Sequence, residues 1–356
     1  MRFSSIFKII ILNIFISKMA HSAVCEERYP PDSEECQYVQ ELEQKAEQGD
    51  ESAQFALGSW YAEGRYVKPD YKLAIKWLEK AGKQGSDFSY FILGYHYNYG
   101  ENFPLSRQKA LEWYRKAAEL GDSSTQEILG DAYMYGDGFP QNTQLALEWY
   151  RRAAAQGLAE AQDAIGVMFM QGEGVSQDYQ QALAWYRKAA RQGLPAAQTH
   201  LGIMSAFGRG VAQSDRQAIA WYRKAAKQDF AKAQYQLGVA YSTGRGVPEN
   251  SRNVLKWYLK AAEQGFTPAQ LALGEIYAHG RQGVPKDNKQ AYIWYYMASI
   301  YTEKSKDDCS ALIAERNRLK GTLTPDQLSE TYAAFDLIRR KINQSKEAKK
   351  IARKKY

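Results

Sequence analysis

An all-α solenoid of seven helix-pair repeats is the fold this sequence predicts, on three observations. Tryptophans stand at 77, 113, 149, 185, 221 and 257, each 36 residues after the last, and Trp294 follows after 37. A Leu/Ile-Gly pair recurs in phase with them, at Gly58, Gly94, Gly130, Gly166, Gly202, Gly238 and Gly274. Residue types that cap helix starts recur as well, at Asp70, Ser106, Asn142, Asp178, Ser214, Asn250 and, after one inserted residue, Asp287. A fixed period of this length is the mark of a helical array.

Composition agrees with such a fold. With 45% hydrophobic and 24% charged residues, 13% aromatics and only ten prolines among 356 residues, the chain is neither disordered nor collagen-like. Three cysteines exclude a dense disulfide scaffold.

Taken in order, residues 1–23 read as a secretory signal peptide. Arg2 and Lys8 precede a short apolar run from Ile9 to Ile16, and Ala20-His21-Ser22-Ala23 supplies small residues for cleavage. The run is far short of the ~20 residues of a spanning helix. Val24 before Cys25 argues against lipid anchoring. The expected location is therefore exported, periplasmic or secreted. Residues 24–49 form an amino-terminal segment whose Gln37–Gly49 stretch ends Ala46-Glu47-Gln48-Gly49, copying the close of each repeat, and is expected to be a lone capping helix.

Residues 50–302 hold the seven repeats. In each, positions such as Ala161, Ile165, Gly166 and Phe169 have the spacing of an amphipathic helix, here helix A. Its glycine gives up about 1 kcal/mol of helix propensity in exchange for close approach of a neighbour. Helix A ends at Gly-x-Gly, as at Gly172 and Gly174, where positive φ lets the chain reverse. Helix B follows the capping residue with Ala182, Trp185, Tyr186, Ala189 and Ala190 as one apolar stripe. It closes on Gly85, Gly121, Gly157, Gly193 or Gly265, with Asp229 as a substitute in the fifth position of the series. One pair cannot bury its stripe alone, so pairs must stack, and a right-handed superhelix is expected. Residues 303–345 are expected to cap the array as a helical hairpin of Lys304–Lys320 and Pro325–Asn343, with Thr324 starting the second helix. Residues 346–356 form a basic tail.

The repeat pattern Ala-x-x-x-Leu-Gly-x-x-Tyr-x-x-Gly-x-Gly-Val, the capping Asp and Ala-x-x-Trp-Tyr-x-x-Ala-Ala-x-x-Gly, clearest at 161–193 and 233–265, resembles the Sel1-like repeat family, a relative of the tetratricopeptide repeats. Departures are local. Tyr66 and Asn102 replace the second loop glycine, Ser205 replaces the helix A aromatic in the fifth repeat, and Val254 replaces a helix B alanine. The resemblance implies an adaptor or scaffold that binds protein partners, and in exported bacterial members envelope regulation or host contact. By similarity to tetratricopeptide repeats, the variable face of helix A lines the partner groove. Phe91, Tyr95, Tyr99 and Tyr135 are the expected aromatic anchors, beside an acidic rim of Glu127, Asp131 and Asp163, with Val167, Phe207 and Tyr235 further along. A glycan or peptidoglycan ligand is the alternative, since rings in a groove also stack on sugars.

Export would place the cysteines in an oxidising compartment, where Cys25 and Cys36, with ten residues between them, are candidates for a disulfide. No catalytic constellation, cofactor or metal site is expected. His96, His200 and His279 are scattered, with no Cys/His spacing for zinc. The Gly-x-Gly loops end helices, where a phosphate loop would start one after a strand. The net charge of +7 is confined to the ends: +3 within residues 1–23 and +8 within 339–356 leave −4 for the residues between. Nucleic acid is thus not an expected partner, and weak contact of the basic tail with an anionic membrane surface is.

Overall fold

The computed structural model describes residue 30 and residues 33–302 and 310–354. The signal peptide, Cys25, Cys309 and the expected Lys304 start of the hairpin lie outside the described residues. The chain divides into two compact units, one ending at Ser176 and the other beginning at Gln177. The described residues hold 17 α-helices and no strand.

In the first unit, α1 (Glu34–Glu47) precedes the hairpins α2 (Glu51–Glu63) with α3 (Tyr71–Lys83), α4 (Asp87–Tyr99) with α5 (Arg107–Leu120), and α6 (Ser123–Tyr135) with α7 (Thr143–Ala155), then α8 (Ala159–Gln171). Each helix packs on the next. The second unit runs from α9 (Tyr179–Arg191) through α10 (Pro195–Phe207), α11 (Asp215–Ala226), α12 (Ala231–Thr243), α13 (Ser251–Ala262), α14 (Thr267–His279) and α15 (Asn288–Thr302), each again packed on its successor. Then α16 (Ser310–Lys320) and α17 (Pro325–Lys354) both pack on α15. Each unit is thus an α-solenoid of stacked helix hairpins.

The capping residues do what their chemistry requires. Asp70, Ser106, Asn142, Asp178, Ser214 and Asn250 each accept a backbone N–H from the first turn of helix B, and Asp287 accepts that of Gln290 at 3.0 Å. Helix A starts differ. Asp50 and Asp122 cap α2 and α6, but Leu158, Leu194, Phe230 and Phe266 occupy the cap position of α8, α10, α12 and α14 without a side-chain bond. There the preceding helix supplies the order: with Gly157 at φ +95°, its N–H meets the Ala154 carbonyl and that of Leu158 meets Ala153. This is the Schellman arrangement, with the apolar residue following the left-handed one. Tyr66 and Asn102, which replace loop glycines, adopt φ of +53° and +59°, so the loop keeps its path without the glycine.

The helix A glycine admits an aromatic ring from helix B of its own repeat. A Cβ at Gly94, Gly130, Gly202 or Gly238 would stand 2.4–2.5 Å from the ring of Tyr114, Tyr150, Tyr222 or Tyr258. Those four tyrosines are buried. The tryptophan beside each lies at the edge of the stripe, half-buried, rather than in it. A cation three residues on covers it: Lys116 is 3.9 Å from the Trp113 ring centre, Arg152 4.5 Å from Trp149, Lys188 3.8 Å from Trp185 and Lys224 4.4 Å from Trp221. Each such contact contributes about 0.5–1 kcal/mol.

Glutamines tie successive helices together. Gln54, Gln126, Gln162 and Gln270, all buried in helix A, donate to the carbonyls of Ala46, Ala118, Ala154 and Ala262 in the preceding helix, α1 for Gln54 and helix B for the others. Glutamines that close helix B donate in turn to helix A of their own repeat, Gln84 to Gln54 at 2.9 Å, Gln156 to Gln126 at 3.0 Å, Gln228 to Gln198 at 3.1 Å and Gln264 to Gln234 at 2.8 Å. The first three of these also reach the carbonyl of Gly49, Gly121 or Gly193. The second repeat lacks the pair, with Tyr90 and Leu120 in the two places.

The carboxy-terminal cap docks through Lys341 to Glu263 and Lys289 to Glu330, both at 2.7 Å. Thr324 and Gln327 form a reciprocal capping box at the start of α17. That helix continues to Lys354, well past the expected Asn343, so most of the basic tail is helical.

Candidate binding surface

The helices set three variable positions one turn apart on each helix A. On α4, these carry a run of rings that begins before them. Phe55 of α2 is 5.7 Å from Phe88, Phe88 stacks on Phe91 at 5.7 Å, Phe91 is 6.5 Å from Tyr95, and Tyr95 is 4.6 Å from Tyr99. Tyr114, the ring admitted by Gly94, lies 5.8 Å from Phe91. The run is therefore anchored at its base and open above, with Phe88 53% and Tyr99 48% exposed.

On α6, Glu127, Asp131 and Tyr135 hold the equivalent places. Asp131 is half-buried and accepts the Tyr150 hydroxyl at 2.6 Å. Burial pushes its carboxyl above the ordinary range, against the opposing pull of the Tyr150 hydrogen bond and of Arg107. Tyr135 is 75% exposed, and burial of its inner edge together with Asp131, Glu173 and Glu127 raises its phenol. Arg107 forms a 2.7 Å ion pair with Asp137 and donates to Asn98 at 2.9 Å, tying the loop after α6 to α4 and α5.

The remaining expected residues divide. Asp163 is buried, so it belongs to the interior of α8 and not to an exposed rim; Val167 is half-buried. In the second unit, Tyr235 stacks on Tyr258 at 5.5 Å and meets Phe266 at 5.4 Å, a packing role. Phe207 is 59% exposed, with Arg209 at 5.4 Å and Arg245 at 5.9 Å from its ring. Phe88 is a member of the surface that sequence reasoning missed. It sits in the first turn of its helix, outside the turn-by-turn pattern, and only its size among the otherwise small or polar residues at Ser52, Ser124, Glu160, Ala196, Lys232 and Pro268 marks it.

Cys36 is disulfide-bonded and fully buried. Both other cysteines fall outside the described residues. His96 stacks on Phe103 at 5.0 Å, with burial lowering its pKa, and His200 lies 4.8 Å from Tyr186, so both are packing residues. His279 is exposed, with Nδ1 3.1 Å from the Glu275 carbonyl. Among the described residues no group of three or more His, Cys, Asp or Glu is placed to hold a metal, and no helix is long and apolar enough to cross a membrane.

Comparison with known proteins agrees with this architecture. A Sel1 repeat protein from Oxalobacter formigenes is 32% identical, with 85% of each chain covered and a TM-score of 0.68. A protective antigen of uropathogenic Escherichia coli strains, displaying an SLR fold, is 26% identical over 87% of this chain and 88% of its own, with a TM-score of 0.45. An immunity protein from Pseudomonas aeruginosa is 22% identical over 55% of this chain and 75% of its own, with a TM-score of 0.43. No curated protein matches significantly. The Sel1 repeat model matches residues 51–86, 88–122, 123–158, 159–194, 195–230, 231–266 and 267–299. Proteins built from these repeats are generally protein–protein interaction scaffolds. With seven matches in register over most of its length, this chain belongs to the Sel1 repeat family.

Proposed function

We propose that the chain is an exported adaptor that holds a protein partner against the helix A face of its first unit, in bacterial envelope regulation or host contact. The observation that carries the reading is the set of large rings left open to solvent, Phe88, Tyr99 and Tyr135, beside the carboxylates Asp131 and Glu127. Rigid aromatics next to charge are the groups that dominate binding energy in protein interfaces. An acidic surround favours a partner segment carrying Lys or Arg beside its apolar residues. Export is supported by the signal-like amino terminus and by the disulfide at Cys36, which persists in an oxidising compartment.

Crosslinking in the native host followed by mass spectrometry tests the reading. Double replacement Tyr99→Ala with Tyr135→Ala is expected to weaken capture of the crosslinked partner about tenfold or more, while the melting temperature stays within a degree or two. A large fall in melting temperature would make the two rings core. A glycan ligand is the competing reading, because open rings beside carboxylates also suit sugars; retention on cell-wall material alone, with no protein crosslinked, would establish it.

A further inference from the structure

The second unit contains a cavity of about 360 Å³ between α9, α10 and α11, lined by Leu183, Leu201, Ser205, Val211, Trp221 and the cations Arg187 and Lys224. Its floor is buried at Leu183, Leu201 and Ser205, and its rim is exposed at Arg187 and Lys224. The volume lies in the range of sites that enclose a small organic group.

The cavity has a cause in the repeat. Ser205 occupies the place that Tyr61, Tyr97, Tyr133, Phe169, Tyr241 and Tyr277 hold in the other six repeats. Those rings fill the space between helix A, the loop valine or phenylalanine and the neighbouring helices: Tyr97 lies 5.2 Å from Phe103, the counterpart of Val211, and Tyr133 lies 5.0 Å from Phe139. Ser205 is too short to do so, and its hydroxyl turns back to the Leu201 carbonyl at 2.9 Å.

The hydroxyl end of the missing ring also has its partner waiting. The Tyr61 hydroxyl donates to Glu43 at 3.2 Å, and Arg223 donates to the Tyr241 hydroxyl at 3.3 Å; in both pairs the partner lies 18 residues earlier, on the helix that precedes helix A, α1 for Tyr61 and helix B of the fifth repeat for Tyr241. Eighteen residues before Ser205 stands Arg187, at the rim with no phenol to meet. Lys224, over the face of Trp221 at 4.4 Å, adds a second cation to the same rim.

We infer that this cavity is a receptor for an aromatic side chain, tyrosine or phenylalanine, presented by a partner peptide with an acidic residue beside it. The ring takes the place of the absent helix A tyrosine, against Leu183, Leu201, Val211 and the edge of Trp221. Arg187 meets the hydroxyl or the neighbouring carboxylate, and Lys224 the second acid. The inference shares with the proposed function only the premise that partners are proteins, and it concerns a different unit and the opposite charge preference.

The test titrates the full chain with acetyl-Asp-Tyr-Glu-amide, acetyl-Asp-Ala-Glu-amide and 4-hydroxyphenylacetate, followed by calorimetry and by Trp fluorescence. The tyrosine peptide is expected to bind about tenfold or more tightly than the alanine peptide. Ser205→Tyr, which restores the residue type of the other repeats, is expected to raise the melting temperature and to abolish that preference. Arg187→Ala, which leaves the floor intact, is expected to weaken binding severalfold and to lessen its salt dependence. Unchanged tyrosine preference in the Ser205→Tyr variant would overturn the inference, as would equal affinity for the two peptides or binding of 4-hydroxyphenylacetate without the tyrosine peptide. Tyr99→Ala with Tyr135→Ala is expected to leave this binding unaltered, so failure here and failure of the first-unit surface are read separately.

Discussion

Replacing Gly82 by alanine tests whether the junction between the first and second repeats has been rebuilt as a unit. Helix B of the second to sixth repeats carries alanine at this place, at Ala118, Ala154, Ala190, Ala226 and Ala262, and a glycine inside a helix ordinarily costs about 1 kcal/mol relative to alanine. Propensity alone therefore predicts that Gly82→Ala stabilises. The packing predicts the reverse. A Cβ on Gly82 would stand 2.5 Å from Cε1 and Cζ of Tyr90 and 2.8 Å from Cε2. Tyr90 is buried and has little room to retreat, stacked on Trp113 at 5.7 Å with Lys116 5.4 Å from its ring centre. Overpacking a rigid ring costs about 3 kcal/mol at the upper end of the usual range, so the net loss is about 2 kcal/mol. For a unit of this size that is a fall of roughly 5 °C in melting temperature, read by circular dichroism. The combination Gly82→Ala, Tyr90→Gln and Leu120→Gln restores the glutamine pair found elsewhere and is expected to recover at least half of the loss. A Gly82→Ala protein as stable as the parent, or a triple variant no better than the single one, would refute the reasoning.

Asp131→Asn keeps an acceptor for the Tyr150 hydroxyl while removing a carboxyl that burial pushes upward. Because the folded-state pKa is raised, the protonated form's contribution is present below the ordinary value of 3.8 and is lost as pH rises through the displaced value. Denaturant midpoints of the parent, taken relative to Asp131→Asn, should therefore fall as pH rises through that window and then level off; a rise would contradict the burial argument. Removing residues 346–356 deletes Lys346, Lys349, Lys350, Arg353, Lys354 and Lys355. Sedimentation with vesicles containing one-third phosphatidylserine should show salt-sensitive binding of the full chain that the shortened chain loses. Equal binding of both would remove the tail from any membrane role.

The period, the helix B caps and the glycine-ended loops were legible because each follows from the chemistry of a single residue type. What those residues meet was not. The Gly94 position announces close approach, but that the visitor is Tyr114 of the same repeat depends on how helix B turns against helix A. For the same reason Trp113, Trp149, Trp185 and Trp221 look like core from spacing, yet sit half-buried under cations at the stripe's edge. Asp163 and Tyr235 share the face of Asp131 and Tyr99, but neighbouring side chains decide whether such a position stays open: Tyr235 packs against Phe266 and Tyr258, while Tyr99 beside Tyr95 keeps about half its surface in solvent. Ser205 was visible as a departure, while the space it leaves required the helices around it.

The glutamine ties bear on how an array like this changes length in evolution. A closing glutamine reaches 30 residues back to its partner and 35 back to a glycine carbonyl, so every donor finds its acceptor again after insertion or loss of one whole 36-residue copy. A copy cut at any other length strands amides and carbonyls in the interior. The gene can therefore grow or shrink in whole-period steps, and the 37-residue spacing between Trp257 and Trp294 falls where the ladder stops: no glutamine closes α15, and Gln270 Oε1 is buried without a partner. The one irregular spacing of this chain thus falls at the end of the series, where no further copy has to be joined.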